Sequence, residues 1–494
     1  MNTKSLKING IVSLLNKCIS IICSLILPRL FISAYGSEIN GLMSSITQYL
    51  TLISLLDLGM GAVIQASMYK PLLEDDIPTL SAIYYKSQQF FNRIGFSLLI
   101  YIAGLCILLP LTLSGNFTNS QIIELILILS LSHLLQFFIG ITSQIILGSD
   151  QKAYIKEILQ GLANITNLLL SVLLVNSGHT IYLVKFASAL VFIIPPVFIS
   201  YYVHQHYHIS KKYRDTKLKL QQQWYGIGQH IAYTIQESTD IVILSFFSSL
   251  STVSVYAVYN TVFQGIKTFL NAATSGVRPY FGRALHMKDK TILIEQFQKI
   301  EWILHTVSTI LLSTTFQLIT PFVILYTKQV TDANYNQPVF GFVMTFAVFL
   351  YALRLPYRTL VFSAGAFKET QLGTYLEAVL NLSFSVLLVF KFDLTGVAIG
   401  TCMSLLYSLI YYIWYSYKRI LKIDFQIITQ QLIVDLLIFC ISSFLLIPFT
   451  NKINNFQLWI LFGITSVIFT TIVSFILNLV IQKRNIVTFM RHRQ

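Results

Sequence analysis

Apolar runs of eighteen or more residues recur from one end of this chain to the other. A run of that length can cross a bilayer as a helix. Only helices and closed barrels satisfy their own backbone polar groups in hydrocarbon. Barrel strands alternate apolar and polar residues over short segments, and these runs do not alternate. The chain therefore reads as an all-α integral membrane protein with about fourteen transmembrane helices. The expected spans lie near 9–31, 39–68, 90–113, 121–147, 155–176, 180–203, 226–248, 251–277, 300–326, 338–361, 370–390, 394–417, 428–449 and 456–481. Composition agrees: 55% of the 494 residues are hydrophobic and 11% charged, against about 25% charged in a soluble domain.

The formal net charge of +14 does not point to nucleic acid, because the basic residues fall in connectors and form no soluble basic patch. They also alternate. One set of connectors holds Lys70, Lys86 and Arg93, then Lys152 and Lys156, then Lys211, Lys212, Arg214, Lys217 and Lys219. The set continues with Arg278, Arg283, Lys288 and Lys290, then Lys368, then Lys418, Arg419 and Lys422, and closes with Lys483, Arg484, Arg491 and Arg493. The other set holds little beyond Lys328, Lys391 and Lys452. By the positive-inside rule both termini are expected in the cytoplasm. Cys18, Cys23, Cys106, Cys402 and Cys440 all lie in apolar runs without CxxC pairing, which suits small buried hydrophobes rather than disulfides or a metal site. Lys4 and Lys7 precede a first run that is too long for a signal peptide and lacks a small-residue cleavage site, so it reads as an uncleaved span.

At a shift of 214 residues the chain matches itself. ILQGLANITNLLLSVLLV, from Ile158 to Val175, meets LGTYLEAVLNLSFSVLLV, from Leu372 to Val389, with Leu162, Asn167, Leu168 and Ser171 to Val175 shared. Each is the fifth span of a block of six. The expected organisation is an N-lobe over 1–208, an interlobe loop over 209–225, a C-lobe over 226–422, and two further helices with a tail over 423–494. This is a parallel-repeat plan of secondary transporters.

A charge at the centre of a membrane helix costs roughly 2.5–3.5 kcal/mol on insertion scales, so such residues usually face a cavity or a partner. Lys17 and Lys267 lie at comparable depths in the first and eighth spans, and Asn271 is one turn from Lys267. Glu237 and Asp240 share a face of the seventh span, and Asp57 lies in the second. Arg29, Lys185 and Arg354 sit near an interface, where snorkelling competes with cavity lining. Lys17, Lys267 and the Glu237/Asp240 pair read as cavity-lining, against the alternative of structural ion pairs between helices. Buried basic residues suggest an anionic cargo.

Weaker signals carry less. His204, His206 and His208 form HxHxH, in a basic juxtamembrane stretch that needs no metal. Gly226 and Gly228 make a lone GxG, and no GxxxxGK[ST] occurs. Asn116-Phe-Thr118 is a sequon, meaningful only in a glycosylating pathway. The outer connectors span no more than roughly a dozen residues, which leaves little surface for the catalytic groups of a membrane glycosyltransferase or polymerase.

The stretch Leu27 to Leu72 resembles the opening two helices of bacterial polysaccharide flippases. These are the Wzx-like members of the multidrug/oligosaccharidyl-lipid/polysaccharide exporter superfamily. Pro28-Arg29, Tyr35-Gly36, Asn40-Gly41, Asp57-Leu-Gly59 and Tyr69-Lys70-Pro71 carry the likeness. It implies flipping of an undecaprenyl-pyrophosphate-linked oligosaccharide to the outer leaflet of a bacterial cytoplasmic membrane by alternating access, for surface polysaccharide assembly. It also implies basic cavity residues on the first, second and eighth helices, and a lipid-tail groove beside the last two. Lys17 and Lys267, with Arg29 and Arg354, are then expected to hold the pyrophosphate. Gln48, Asn260, Gln264 and Asn271 would meet the glycan. Asp57, Glu237 or Asp240 would carry a coupling proton or sodium ion, with no other cofactor. Partners would be the lipid-linked oligosaccharide, membrane lipids and other polysaccharide-assembly membrane proteins. The alternatives are a cation-coupled multidrug exporter of the same superfamily, whose cavity should favour acids and aromatics, and a membrane enzyme of glycan assembly.

Overall fold

The computed structural model describes residues 3–57, 60–113, 115–214, 227–285 and 290–482, and these form helices without any strand among them. The interlobe loop from 215 onward, Gly226, Leu58 and Gly59 of the flippase-like stretch, Lys288 and the tail from 483 lie outside the described residues.

Within the described residues, all fourteen expected spans fall on helix. The first is α1 (Thr3–Tyr35). The second comprises α2 (Ser37–Leu52), a 3-10 turn (Ile53–Asp57) and α3 (Met60–Leu73). The third is α4 (Ile77–Thr112). The fourth is α5 (Asn119–Leu135), a π turn (Gln136–Gly140) and α6 (Ile141–Ser149). Then come α7 (Ala153–Asn176), α8 (Ile181–His206), α9 (Ile227–Phe247) and α10 (Leu250–Ser275). A short α11 (Val277–Leu285) precedes α12 (Lys290–Tyr326) and α13 (Pro338–Ser363). The long α14 (Phe367–Tyr415) holds the eleventh and twelfth spans, folded back at Asp393, and ends in a π turn (Ser416–Leu421). Last are α15 (Gln426–Thr450) and α16 (Phe456–Gln482).

Ten helices among the described residues are long and apolar enough to cross a membrane, and α14 counts once for two spans. The second, seventh and eighth spans fall short. The second is interrupted near Asp57, and the other two carry QESTD and NTVFQGIKT in mid-helix. Polar side chains at that depth have to face other helices or water rather than lipid. The protein is thus a multi-pass, all-α membrane protein in which the seventh and eighth spans are set apart by their polarity and the second by its 3-10 turn.

Local chemistry fixes the helix ends. Asp76 caps α4 by accepting from the Thr79 backbone N–H at 3.1 Å, with Pro78 in the first turn. Thr118 and Gln121 form a reciprocal capping box at α5. In α14, a Cβ on Gly396 would run into the Leu388 carbonyl oxygen, and one on Gly400 into Ser385 Oγ. These two glycines, spaced GxxxG, let the two arms of the hairpin approach backbone to backbone.

The chain divides into two compact units, Met1–Ser254 and Val255–Gln494. In the first, Leu42, Ile46, Ile64, Phe91 and Leu98 are fully buried. In the second, Phe340, Val361, Val397 and Val434 are. The 214-residue repeat is visible in burial. Asn167 and Asn381 are both buried, as are Ser171 and Ser385, while Leu162 and Leu376 are both exposed. Each unit therefore points the same polar positions of its fifth span inward and the same leucines outward. Outward leucines are stable here because hydrocarbon, not water, meets them. The cysteines are unpaired; Cys23 is buried, whereas Cys18 is exposed on α1, so the expectation of burial fails at that position. A thiol is apolar enough to face lipid in its place.

Candidate functional site

Asn260, Gln264, Lys267 and Asn271 recur at spacings of four, three and four, which places them on one face of α10. The first three are half-buried and Asn271 is exposed. Tyr351 of α13 organises the inner end of this stripe. Its hydroxyl donates to Asn271 Oδ1 at 2.8 Å, and the Lys267 ammonium lies 5.2 Å from its ring centroid. The guanidinium of Arg354 also lies 5.2 Å from that ring. A tyrosine near two cations holds them through its π face at little desolvation cost.

Arg354 itself is buried, 1% exposed. It is ion-paired with Glu377 of α14 and donates to Ser408 Oγ at 2.6 Å, while Ser408 donates to the other Glu377 oxygen at 2.7 Å. Its charge is neutralised within the unit, so Arg354 acts as a buttress for Tyr351. Lys267 is the more accessible cation of this group.

In the first unit, Lys17 is half-buried on α1 and Arg29 is exposed near its far end. The neighbours of Lys17 fix the rotation of α1 against α7. Asn9 donates to the Gln151 carbonyl at 2.8 Å and accepts from the Tyr154 N–H at 2.8 Å. Asn16 donates to Glu157 Oε2 at 2.6 Å, and Asn164 donates to Ser20 Oγ at 2.9 Å. Asn9, Asn16 and Cys23 recur every seven residues, the repeat of a helix seam. This polar seam locks α1 and so sets the direction of Lys17.

Gln48 is half-buried on α2. Glu237 is half-buried and Asp240 buried on α9, whose Thr234, Gln236 and Ser238 are buried as well. On the same unit, Tyr49 and Ser245 hydroxyls pair at 2.7 Å, and Asn40 donates to Ser254 Oγ at 2.8 Å. Asp57 ends the 3-10 turn; its side chain lies outside the described residues. Lys185 of α8 sits 4.0 Å from the Phe31 ring centroid. His204 and His206 bond the carbonyls of Ser200 and Tyr202 one turn back.

Several buried or half-buried ionisable groups escape the sequence reading. Glu377 lies within the internal repeat, and Glu157 near a span end. Glu301, His305 and Asp435 form a buried network with Tyr357 and Tyr417 in the second unit. The signal that singles out Lys17, an ionisable residue inside an apolar run, is present in YLEAVL, WILH and IVDLLIF as well.

No family profile matches the chain, and no curated protein matches it in sequence. Its fold is nevertheless that of known solved structures. Lipid II flippase MurJ in an inward closed conformation superposes with a TM-score of 0.68 at 15% identity, covering 96% of this chain and 100% of that one. An inward-facing multidrug resistance MATE family transporter of the MOP superfamily gives 0.64 at 14% identity, covering 84% and 99%. The MATE multidrug transporter DinF-BH gives 0.55 at 14% identity, covering 85% and 96%. At these identities the likeness establishes the fold.

Proposed function

We propose that the chain is a non-enzymatic flippase. It carries polyprenyl-pyrophosphate-linked oligosaccharide repeat units from the cytoplasmic to the outer leaflet of the bacterial cytoplasmic membrane, by alternating access, for surface polysaccharide assembly. The observation that carries this reading is the stripe on α10: two amides and a lysine on one face of a membrane helix, with Asn271 beyond and Tyr351 behind. A pyrophosphate needs cations, and sugar hydroxyls need amide donors and acceptors. Lys267 supplies the first and Asn260, Gln264 and Asn271 the second.

Lys17 is the second proposed cation, with Arg29 and Gln48 as further contacts and Arg354 as support. An anionic headgroup offsets the cost of keeping lysines at membrane depth. The shared fold of a protein named a lipid II flippase supports a lipid-linked cargo. Asp57, Glu237 or Asp240 is proposed to carry a coupling proton or sodium ion. Both termini are proposed to face the cytoplasm, with membrane lipids and other polysaccharide-assembly proteins as proposed partners.

Glu237 and Asp240 together with the MATE-like fold favour one second reading, export of cationic drugs. Reconstitution separates the two. The flippase reading expects leaflet transfer of a labelled polyprenyl-pyrophosphate oligosaccharide and no uptake of a cationic dye. Dye transport without glycan-lipid transfer would replace it with the exporter.

A further inference from the structure

Five side chains from four elements of the second unit meet in one dry network. His305 of α12 donates from Nδ1 to Asp435 Oδ2 of α15 at 2.7 Å, and both are 0% exposed. The other ring nitrogen of His305 meets the Tyr357 hydroxyl of α13 at 3.1 Å. Tyr357 also interacts with Glu301, one turn before His305 on α12. Glu301, 2% exposed, accepts the Tyr417 hydroxyl at 2.9 and 3.2 Å. Hydrogen bonds thus run from Tyr357 through His305 to Asp435, and from Tyr417 to Glu301, whose carboxyl acts on Tyr357 electrostatically.

The remaining oxygen of Asp435 accepts from Gln431 at 2.9 Å and faces Thr309 Oγ1 at 3.3 Å. Donors therefore surround both carboxylates, and a metal ion would find few lone pairs directed at it. A proton suits the same geometry. With two carboxyls and one imidazole in a buried network, neutrality is met when His305 is charged and one carboxyl holds a proton. Burying a net charge instead is costly.

We propose that Glu301, Tyr357, His305 and Asp435 form a proton-carrying site. In the loaded state Glu301 is protonated, His305 is imidazolium and Asp435 is carboxylate, so the set is neutral. Release passes the Glu301 proton to water and leaves its electron pair on the carboxylate. The imidazolium then lies near two carboxylates, bonded directly to Asp435 and, through Nε2, to the Tyr357 hydroxyl that the Glu301 charge acts on. One proton has left, and the site carries one negative charge. That charge is tolerable only when water reaches the region, so proton release is tied to opening.

The surrounding elements leave this assignment intact. Of the other charged residues on α12 and α13, Lys290, Glu295 and Lys299 are exposed and Arg354 is held by Glu377. Arg278 and Arg358 lie over Phe362, Arg283 is exposed, Lys418 lies over Phe425 and Arg419 over Trp414. Asp435 is the one charged residue in the sequence of α15, and α16 has none.

The inference is independent of the cargo. Its test is infrared difference spectroscopy of the full chain in lipid nanodiscs between about pH 5 and about pH 9, above the ordinary carboxyl range, where a buried carboxyl gives up its proton. The carbonyl stretch of protonated carboxyls is compared in wild type, Glu301→Gln, His305→Gln and Tyr357→Phe. Wild type is expected to lose one protonated-carboxyl band as pH rises. Glu301→Gln should abolish that band, and His305→Gln should move its midpoint upward, because the supporting positive charge is gone. Tyr357→Phe, which removes a single oxygen, should keep the band and raise its midpoint by less. A titrating band that survives Glu301→Gln in folded protein, or no titrating carboxyl at all in wild type, overturns the proposal.

Discussion

His305 Nδ1 donates to Asp435 Oδ2 across 2.7 Å with neither side chain exposed. The bond ties α15, in the pair of helices beyond the repeat, to α12. Removing one member of a buried charge pair leaves the other uncompensated, at a cost of about 3–5 kcal/mol. Asp435→Leu should therefore lower the unfolding temperature in detergent markedly. Asp435→Asn keeps an acceptor for His305 and should cost much less. Equal melting of both variants would show that shape alone matters there.

Arg354 and Glu377 give a second case. Glu377→Leu strands a buried guanidinium and is expected to destabilise by about 3–5 kcal/mol. Arg354→Met combined with Glu377→Leu should recover most of that loss. Thermal unfolding followed by size-exclusion chromatography reads the comparison. A double variant no better than Glu377→Leu alone would assign the pair a role other than mutual neutralisation.

Gly41 lies where a Cβ would run into the Leu250 carbonyl oxygen. The obstacle is backbone, which cannot swing aside. Gly41→Ala should reduce the yield of monodisperse protein severely, whereas Gly104→Ala, with nothing within 4 Å of its Cβ, should be silent. Comparable yields would disprove the close approach.

Asp76 caps α4 outside the membrane. Hydrogen bonds from the Thr79 side chain and backbone hold its carboxyl below the usual carboxylate range, despite some desolvation. A depressed folded-state value means that the cap stabilises fully above the unfolded value, and that this contribution fades as pH falls through the folded one. Protection factors of the amides in the first turn of α4, taken against intrinsic exchange at each pH, should fall in acid. Asp76→Asn, which keeps an acceptor without a charge, should flatten that dependence.

Most of the architecture is legible in the sequence because hydrocarbon imposes a length and a composition on every span. The α14 hairpin reads as two helices, and the repeat pairing Asn167 with Asn381 reappears in burial. The interrupted second span and the polar seventh and eighth are found as well, since their flanks remain apolar. Partnerships are not legible. Whether Arg354 reaches an interface or an acid depends on Glu377, which lies 23 residues away and meets it only once α13 and α14 pack. The His305 network escapes for the same reason. Its members come from separate elements, and no spacing in the sequence joins them.

Leaflet transfer of a labelled polyprenyl-pyrophosphate oligosaccharide in proteoliposomes tests the central claim most directly, with wild type, Lys17→Ala, Lys267→Ala and Lys267→Arg at matched folding. Transfer by wild type is expected to fall at least about tenfold in each alanine variant, corresponding to about 1.4 kcal/mol of lost cargo interaction, and to persist in Lys267→Arg. Wild-type transfer unchanged by either alanine substitution would contradict the cationic assignment, and no transfer by wild type would contradict the flippase itself.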